Sequence, residues 1–123
     1  MNELASRTLG RNIPDLPLTK GATIAIGNAL RMDWETIVPK NELSFILGNP
    51  PFIGHHLQTV EQKSDLHSVL HGVSQAGIMD YVSAWYVKAA AMMCETTIRS
   101  AFVSTYSITQ GEQVGVLWRY MFE

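Results

Sequence analysis

Leu43-Ser44-Phe45-Ile46-Leu47-Gly48-Asn49-Pro50-Pro51-Phe52 is an apolar run brought to a halt by a glycine, an asparagine and two prolines. Five residues of that texture read as a buried strand. Neither proline can donate to a ladder, so the strand must end there. Upstream, Ala22-Thr23-Ile24-Ala25-Ile26 has the same character and closes on Gly27-Asn28, which predicts another buried strand ending in a turn. Downstream, Ile98 to Tyr106, with the interior Ala101-Phe102-Val103, predicts a third.

Helical patterns lie between and after these runs. Residues 57–71 carry a weak stripe of Leu57, Val60, Leu66, Val69 and Leu70. Ile78, Tyr81, Val82, Trp85, Ala89, Met92 and Met93 fall on one face of a 3.6-residue helix. A last helix is expected from about Thr109 to the end, weakened by Gly111 and Gly115. Strands alternating with helices, with no tight hairpin turns, imply an α/β fold with a parallel sheet. Residues 1–20, with Gly10, Pro14 and Pro17, read as a lead-in segment to a domain over residues 21–123. In such sheets ligands bind beyond the carboxyl ends of the strands. Those ends carry Gly27-Asn28, Gly48-Asn49-Pro50-Pro51-Phe52 and Thr105-Tyr106-Ser107.

Asn49-Pro50-Pro51-Phe52 has a specific chemical capability. An exocyclic amine on a nucleobase is a poor nucleophile because its lone pair is delocalised into the ring. Two hydrogen-bond acceptors on its N–H groups favour a geometry in which the lone pair turns toward an electrophile. Asn49 supplies a side-chain amide oxygen, and the stiff backbone at Pro50 supplies a carbonyl. Phe52 offers a flat face for an extruded base, a contact worth about 1–3 kcal/mol in comparable systems.

Bulk properties narrow the class. With 123 residues the chain is the size of one small domain, and 46% hydrophobic residues permit a core. A net charge of −2 argues against a free-standing nucleic-acid binder. One cysteine, Cys94, excludes an internal disulfide and fits a reducing cytoplasm. No apolar run approaches the roughly 20 residues needed to span a bilayer. His55 and His56 are adjacent and point in different directions, and His67 and His71 lack an acidic partner pattern, so no metal is expected.

The segment Phe45 to Gly54 resembles the catalytic segment of gamma-type amino-methyltransferases of DNA, whose cofactor motifs precede Asn-Pro-Pro-Tyr/Phe. It looks closest to the methyltransferase part of MmeI-like single-chain restriction-and-modification enzymes. The resemblance continues through Asp80-Tyr81-Val82-Ser83-Ala84-Trp85-Tyr86 and through Phe102 to Gly111, covering essentially residues 20–120. It implies adenine-N6 methylation of DNA using S-adenosylmethionine, with Asn49, Pro50, Pro51 and Phe52 holding the flipped base. It also implies that Gly27-Asn28-Ala29-Leu30 contacts the cofactor adenine, with Asn28 favoured, Ala29 beside it and Asp33 as a competitor. Ser104 to Gln110 would border the pocket.

The departures from the family pattern matter equally. The glycine-rich cofactor loop and the strand whose terminal acid grips the ribose are missing. The resemblance therefore implies a partial Rossmann-like S-adenosylmethionine-dependent methyltransferase fold whose parallel sheet lacks its first two strands. The chain is expected to be a central piece of a longer enzyme, inactive alone. Its Ala22–Ile26 strand would have no neighbours and would self-associate, swap or hang loosely. Asn-Pro-Pro-aromatic also serves amines of RNA and of protein glutamine, and a non-catalytic interaction module could retain it. On the residues alone those alternatives stay open.

Overall fold

The computed structural model describes residues 21–73 and 75–122. The expected lead-in segment, residues 1–20, lies outside them. In chain order the elements are α1 (Trp34–Ile37), a 3-10 turn (Lys40–Glu42), β1 (Phe45–Gly48), α2 (Val60–Val69), a 3-10 turn (Ala76–Ile78), α3 (Ser83–Met93), β2 (Arg99–Phe102), a 3-10 turn (Tyr106–Ile108) and α4 (Gln113–Phe122). β1 and β2 pair in parallel, Phe45 opposite Arg99 through Gly48 opposite Phe102. This two-stranded sheet is the whole of the sheet among the described residues. The expected parallel pairing of the second and third runs is found.

The Ala22–Ile26 strand is not. Those residues form no ladder, and Ile24 and Ile26 are 86% and 97% exposed. An apolar run becomes a strand only when a neighbour accepts and donates its backbone hydrogen bonds. No described segment lies alongside to do so. The third strand is also shorter than the Ile98–Tyr106 run. After Phe102 the chain makes one more ladder-like bond, from the Val103 N–H to the Gly48 carbonyl at 3.0 Å, and then turns.

α2 starts where Thr59 caps it: the Thr59 hydroxyl accepts from the Gln62 N–H, and the Gln62 side chain accepts from the Thr59 N–H. This reciprocal cap satisfies two donors that a helix start leaves orphaned. Only part of the expected stripe is used, since Leu66 and Leu70 are buried whereas Leu57 and Val60 are exposed. The expected stripe on α3 is buried or half-buried throughout, although the helix begins at Ser83 and Ile78 belongs to the preceding 3-10 turn. Ser83, Ala84 and Val87 are buried too, so α3 is enclosed on more than one side.

The core gathers Leu66 and Leu70 of α2, Met79, Val82 and Ala84 around the start of α3, and Leu117 of α4, with Leu30 and Ile108 joining from loops. It sits among the helices, on one side of the sheet. On the other side Phe45 and Leu47 stand 62% and 73% exposed. No described helix is long and apolar enough to cross a membrane.

Candidate functional site

Because β1 and β2 are parallel and in register at Gly48 and Phe102, their carboxyl ends lie on one edge. β1 exits into Asn49-Pro50-Pro51-Phe52, and β2 into Val103-Ser104-Thr105-Tyr106. A β-carbon at position 48 would approach the Phe102 ring to 3.1 Å, so a side chain there requires the ring to give by a few tenths of an ångström. That ring lies beside the strand end and meets Tyr86 of α3 edge to face at 5.2 Å.

Within the motif the residues part company. Pro50 is buried and anchors the turn, while Asn49, Pro51 and Phe52 face solvent. The Asn49 amide makes no hydrogen bond among the described residues, so both its oxygen and its nitrogen remain open. Gln58 and the segment preceding α3 fix the exit of the loop. The Ile53 carbonyl accepts from the Tyr81 N–H at 2.9 Å and from Gln58 Nε2 at 3.0 Å. The Ile53 N–H donates to Asp80 Oδ1 at 3.3 Å. A backbone unit held on both its donor and its acceptor has little freedom to swing.

A cavity of about 390 Å³ opens at this edge, lined among others by Ala29, Trp34, Asn49, Pro50, Trp85 and Phe102. Its volume falls in the range of small-molecule sites, and its walls are aromatic and uncharged. Such walls suit a planar heterocycle. A neighbouring cavity of about 580 Å³ shares Phe102 and is lined by Tyr86, Ser104, Thr105, Tyr106, Ile108 and Thr109. Ser104 Oγ is buried there without a hydrogen-bond partner among the described residues. The stretch after β2, expected to border the pocket, lines this neighbouring cavity and not the one that holds Asn49.

From the segment 28–34, Ala29 and Trp34 line the cavity that holds Asn49. Asn28 Oδ1 accepts from the Leu30 N–H at 2.9 Å, and its Nδ2 donates to Asp65 Oδ2 at 3.1 Å. Arg31 Nε donates to Asp65 Oδ1 at 2.8 Å. Trp34 Nε1 donates to the Ala29 carbonyl at 2.9 Å, and Lys88 Nζ to the Met32 carbonyl at 2.7 Å. The three residues expected at the cofactor are therefore separated. Ala29 shares the cavity with Asn49. Asn28 is turned toward Asp65. Asp33 caps α1, accepting from the Glu35 N–H, and lines a smaller pocket with Lys88.

Electrostatics follow this packing. Burial raises the Tyr81 hydroxyl pKa, and the Asp65 carboxylate adds to the rise. The hydrogen bond from Arg31 to Asp65 raises the guanidinium further above its usual value. Burial lowers Lys88, with Asp33 opposing. Lys88 also stands 5.3 Å over the Trp34 ring. The histidines are not among the cavity's lining residues: the His55 and His56 rings meet at a tilt of 41° with centroids 3.8 Å apart, and His71 pairs with the Ser68 carbonyl. Among the described residues no three potential ligands gather for a metal.

Sequence reasoning found the motif but missed Trp34, Gln58 and Asp65, and it assigned Trp85 to packing alone. Trp34 stands six residues after Asn28, beyond the expected strand, where nothing in the pattern points inward. Gln58 and Asp65 fall in the 57–71 stretch, whose stripe is weak and whose polar residues read as surface. A polar residue among apolar neighbours one turn apart, such as Asp65 before Leu66 and Val69, was the available clue.

The family model described as "MmeI, DNA-methyltransferase domain" matches residues 1–123. The chain is 40% identical over 112 residues to a protein named DNA methyltransferase A from Bacillus subtilis (strain 168), covering 89% of this chain and 13% of that protein. It superposes with a TM-score of 0.81 and 45% identity on the structure of the Type IIL restriction-modification enzyme MmeI in complex with DNA, covering 98% of this chain and 16% of that one. The chain thus spans about one sixth or less of the relatives it matches. With the motif at the strand edge and a match running over all its residues, this chain belongs to the MmeI DNA-methyltransferase domain family.

Proposed function

We propose that this chain is the base-holding part of an adenine-N6 methyltransferase of DNA that uses S-adenosylmethionine, within a longer restriction-modification enzyme. One observation carries the reading: an open Asn49 amide beside a buried Pro50, at the carboxyl edge of a parallel sheet and on the rim of an aromatic cavity. Asn49 Oδ1 and the Pro50 carbonyl accept the two N–H groups of the target amine and turn its lone pair toward the cofactor. Phe52, 40% exposed, provides the face on which the flipped base stacks. S-adenosylmethionine, when bound, supplies the methyl group that the amine nitrogen receives. The neutral walls at Ala29 and at the aromatic Trp34 and Trp85 fit the adenosine part of that cofactor. Residues for its methionine end come from outside this chain, which leaves the chain alone inactive.

The two strands belong, on this reading, to a Rossmann-like sheet whose first two strands are supplied elsewhere. Exposed Ile24, Ile26, Phe45 and Leu47 make the isolated chain self-associate in the meantime. A lone cysteine suits the cytoplasm.

The test offers duplex DNA, RNA and protein to the full-length enzyme with labelled S-adenosylmethionine. Label recovered as N6-methyladenine in duplex DNA supports the proposal. Label in RNA or on glutamine moves the same amine chemistry to another substrate. Unlabelled products throughout would return the chain to a non-catalytic interaction role.

A further inference from the structure

Asp65 is a carboxylate in the middle of α2, only 7% exposed, well away from the Asn49 motif in sequence. A charge that far from water is tolerated only when its oxygens are occupied. Here Oδ2 accepts from Asn28 Nδ2 at 3.1 Å and from Arg31 Nη2 at 3.3 Å, and Oδ1 accepts from Arg31 Nε at 2.8 Å. The Arg31 side chain is 59% exposed, so its ion pair is screened and weak on its own. The bond to Asn28 is the one that sets geometry. Asn28 passes it on, since its Oδ1 accepts from the Leu30 N–H while the Asn28 carbonyl accepts from the Arg31 N–H at 3.0 Å. Between those anchors lies Ala29, whose carbonyl is held by Trp34 and which lines the cavity together with Asn49.

We propose that Asp65 is a positioning residue: acting through Asn28, it fixes the Asn28–Arg31 turn and so sets the cavity wall opposite Asn49. Asn28 then serves the site by holding that wall and does not touch the cofactor through its side chain. The role of the wall in cofactor binding rests on the function proposed above. α2 also begins beside Gln58, which is 8% exposed and ties Ile53 to the Met79 carbonyl at 2.9 Å. One helix and its lead-in thus brace both sides of the cavity: Gln58 holds the exit of the base loop and Asp65 the facing turn.

The donor pattern supplies a discriminating experiment. Asp65→Asn leaves one acceptor oxygen where Asn28 and Arg31 need two, and places an amide donor against one of them. Adding Asn28→Asp reverses the pair. The carboxylate introduced at position 28 accepts from the Leu30 N–H and from the amide introduced at position 65, whose oxygen still accepts from Arg31. In the full-length enzyme, Asp65→Asn should speed amide hydrogen exchange at Leu30 by about tenfold. It should raise KM for S-adenosylmethionine by a similar factor, with kcat changed less than about twofold. The double variant should bring both back to within about threefold of wild type, an outcome that a general loss of packing would not produce.

Unchanged exchange at Leu30 in Asp65→Asn overturns the proposal. So does a double variant that regains protection at Leu30 but not the KM, because Asn28 would then contact the cofactor itself. If exchange responds as expected while the wild-type enzyme transfers methyl to no substrate, the brace stands and the function proposed for the cavity fails.

Discussion

The helical half and the sheet half of this chain solve opposite problems. Around α2, α3 and α4 the side chains are sealed: Met79, Val82, Ala84 and Leu117 are 0% exposed, and Leu66 and Leu70 1%. Around β1 and β2 much of the apolar surface is open, with Phe45, Leu47 and Val103 all more than half exposed. The first half can hold itself together by burial. The second presents its strand ends, and Asn49-Pro50-Pro51-Phe52 with them, on a framework braced from the helical side through Ile53 and Asn28. Stability and site geometry are therefore assigned to different parts of one small chain.

Substitutions of similar size should expose that division. The largest loss is expected in the helical half, where Leu66→Ala removes a fully enclosed side chain and should cost about 2–5 kcal/mol in denaturant unfolding. A change of less than about 1 kcal/mol there would mean that the helical core is not sealed. Next comes the seam between the halves. Gly48→Ala forces a β-carbon to within 3.1 Å of the Phe102 ring and should cost about 1–3 kcal/mol, since the ring must shift against Tyr86. Its effect on methyl transfer should exceed its effect on stability, because Phe102 is also a cavity wall. The smallest effect is expected on the open sheet face, where Leu47→Thr should change stability by no more than about 0.5 kcal/mol. A loss comparable to that of Leu66→Ala would show that the face is covered in solution.

Legibility in the sequence followed the same boundary. The stop at Asn49-Pro50-Pro51 was readable because proline chemistry is local, and the α3 stripe because periodicity is local. The β1–β2 pairing followed from their alternation with helices. The Ala22–Ile26 run reads as a strand by its texture alone, whereas its lack of neighbours was implied by the resemblance, and without a partner the run forms no ladder. At the site, the Asn49-Pro50 stop was legible, and Ala29, expected at the cofactor, lines the same cavity as Asn49. The separation of Asn28 from Ala29 was not recoverable. It depends on Asp65, a polar residue 37 positions away whose burial arises only when α2 packs against the 28–34 loop.

The central claim is that the open Asn49 amide orients the target amine. Its most direct measurement is single-turnover methyl transfer to duplex DNA by the full-length enzyme carrying Asn49→Ala, compared with wild type at saturating cofactor. Asn49 is exposed and, among the described residues, bonded to nothing, so the variant should fold with unchanged stability. The account predicts a rate lower by about 10²–10³, as when a preorganised polar contact to a transition state is removed elsewhere, with cofactor affinity intact. A rate within about threefold of wild type would contradict it.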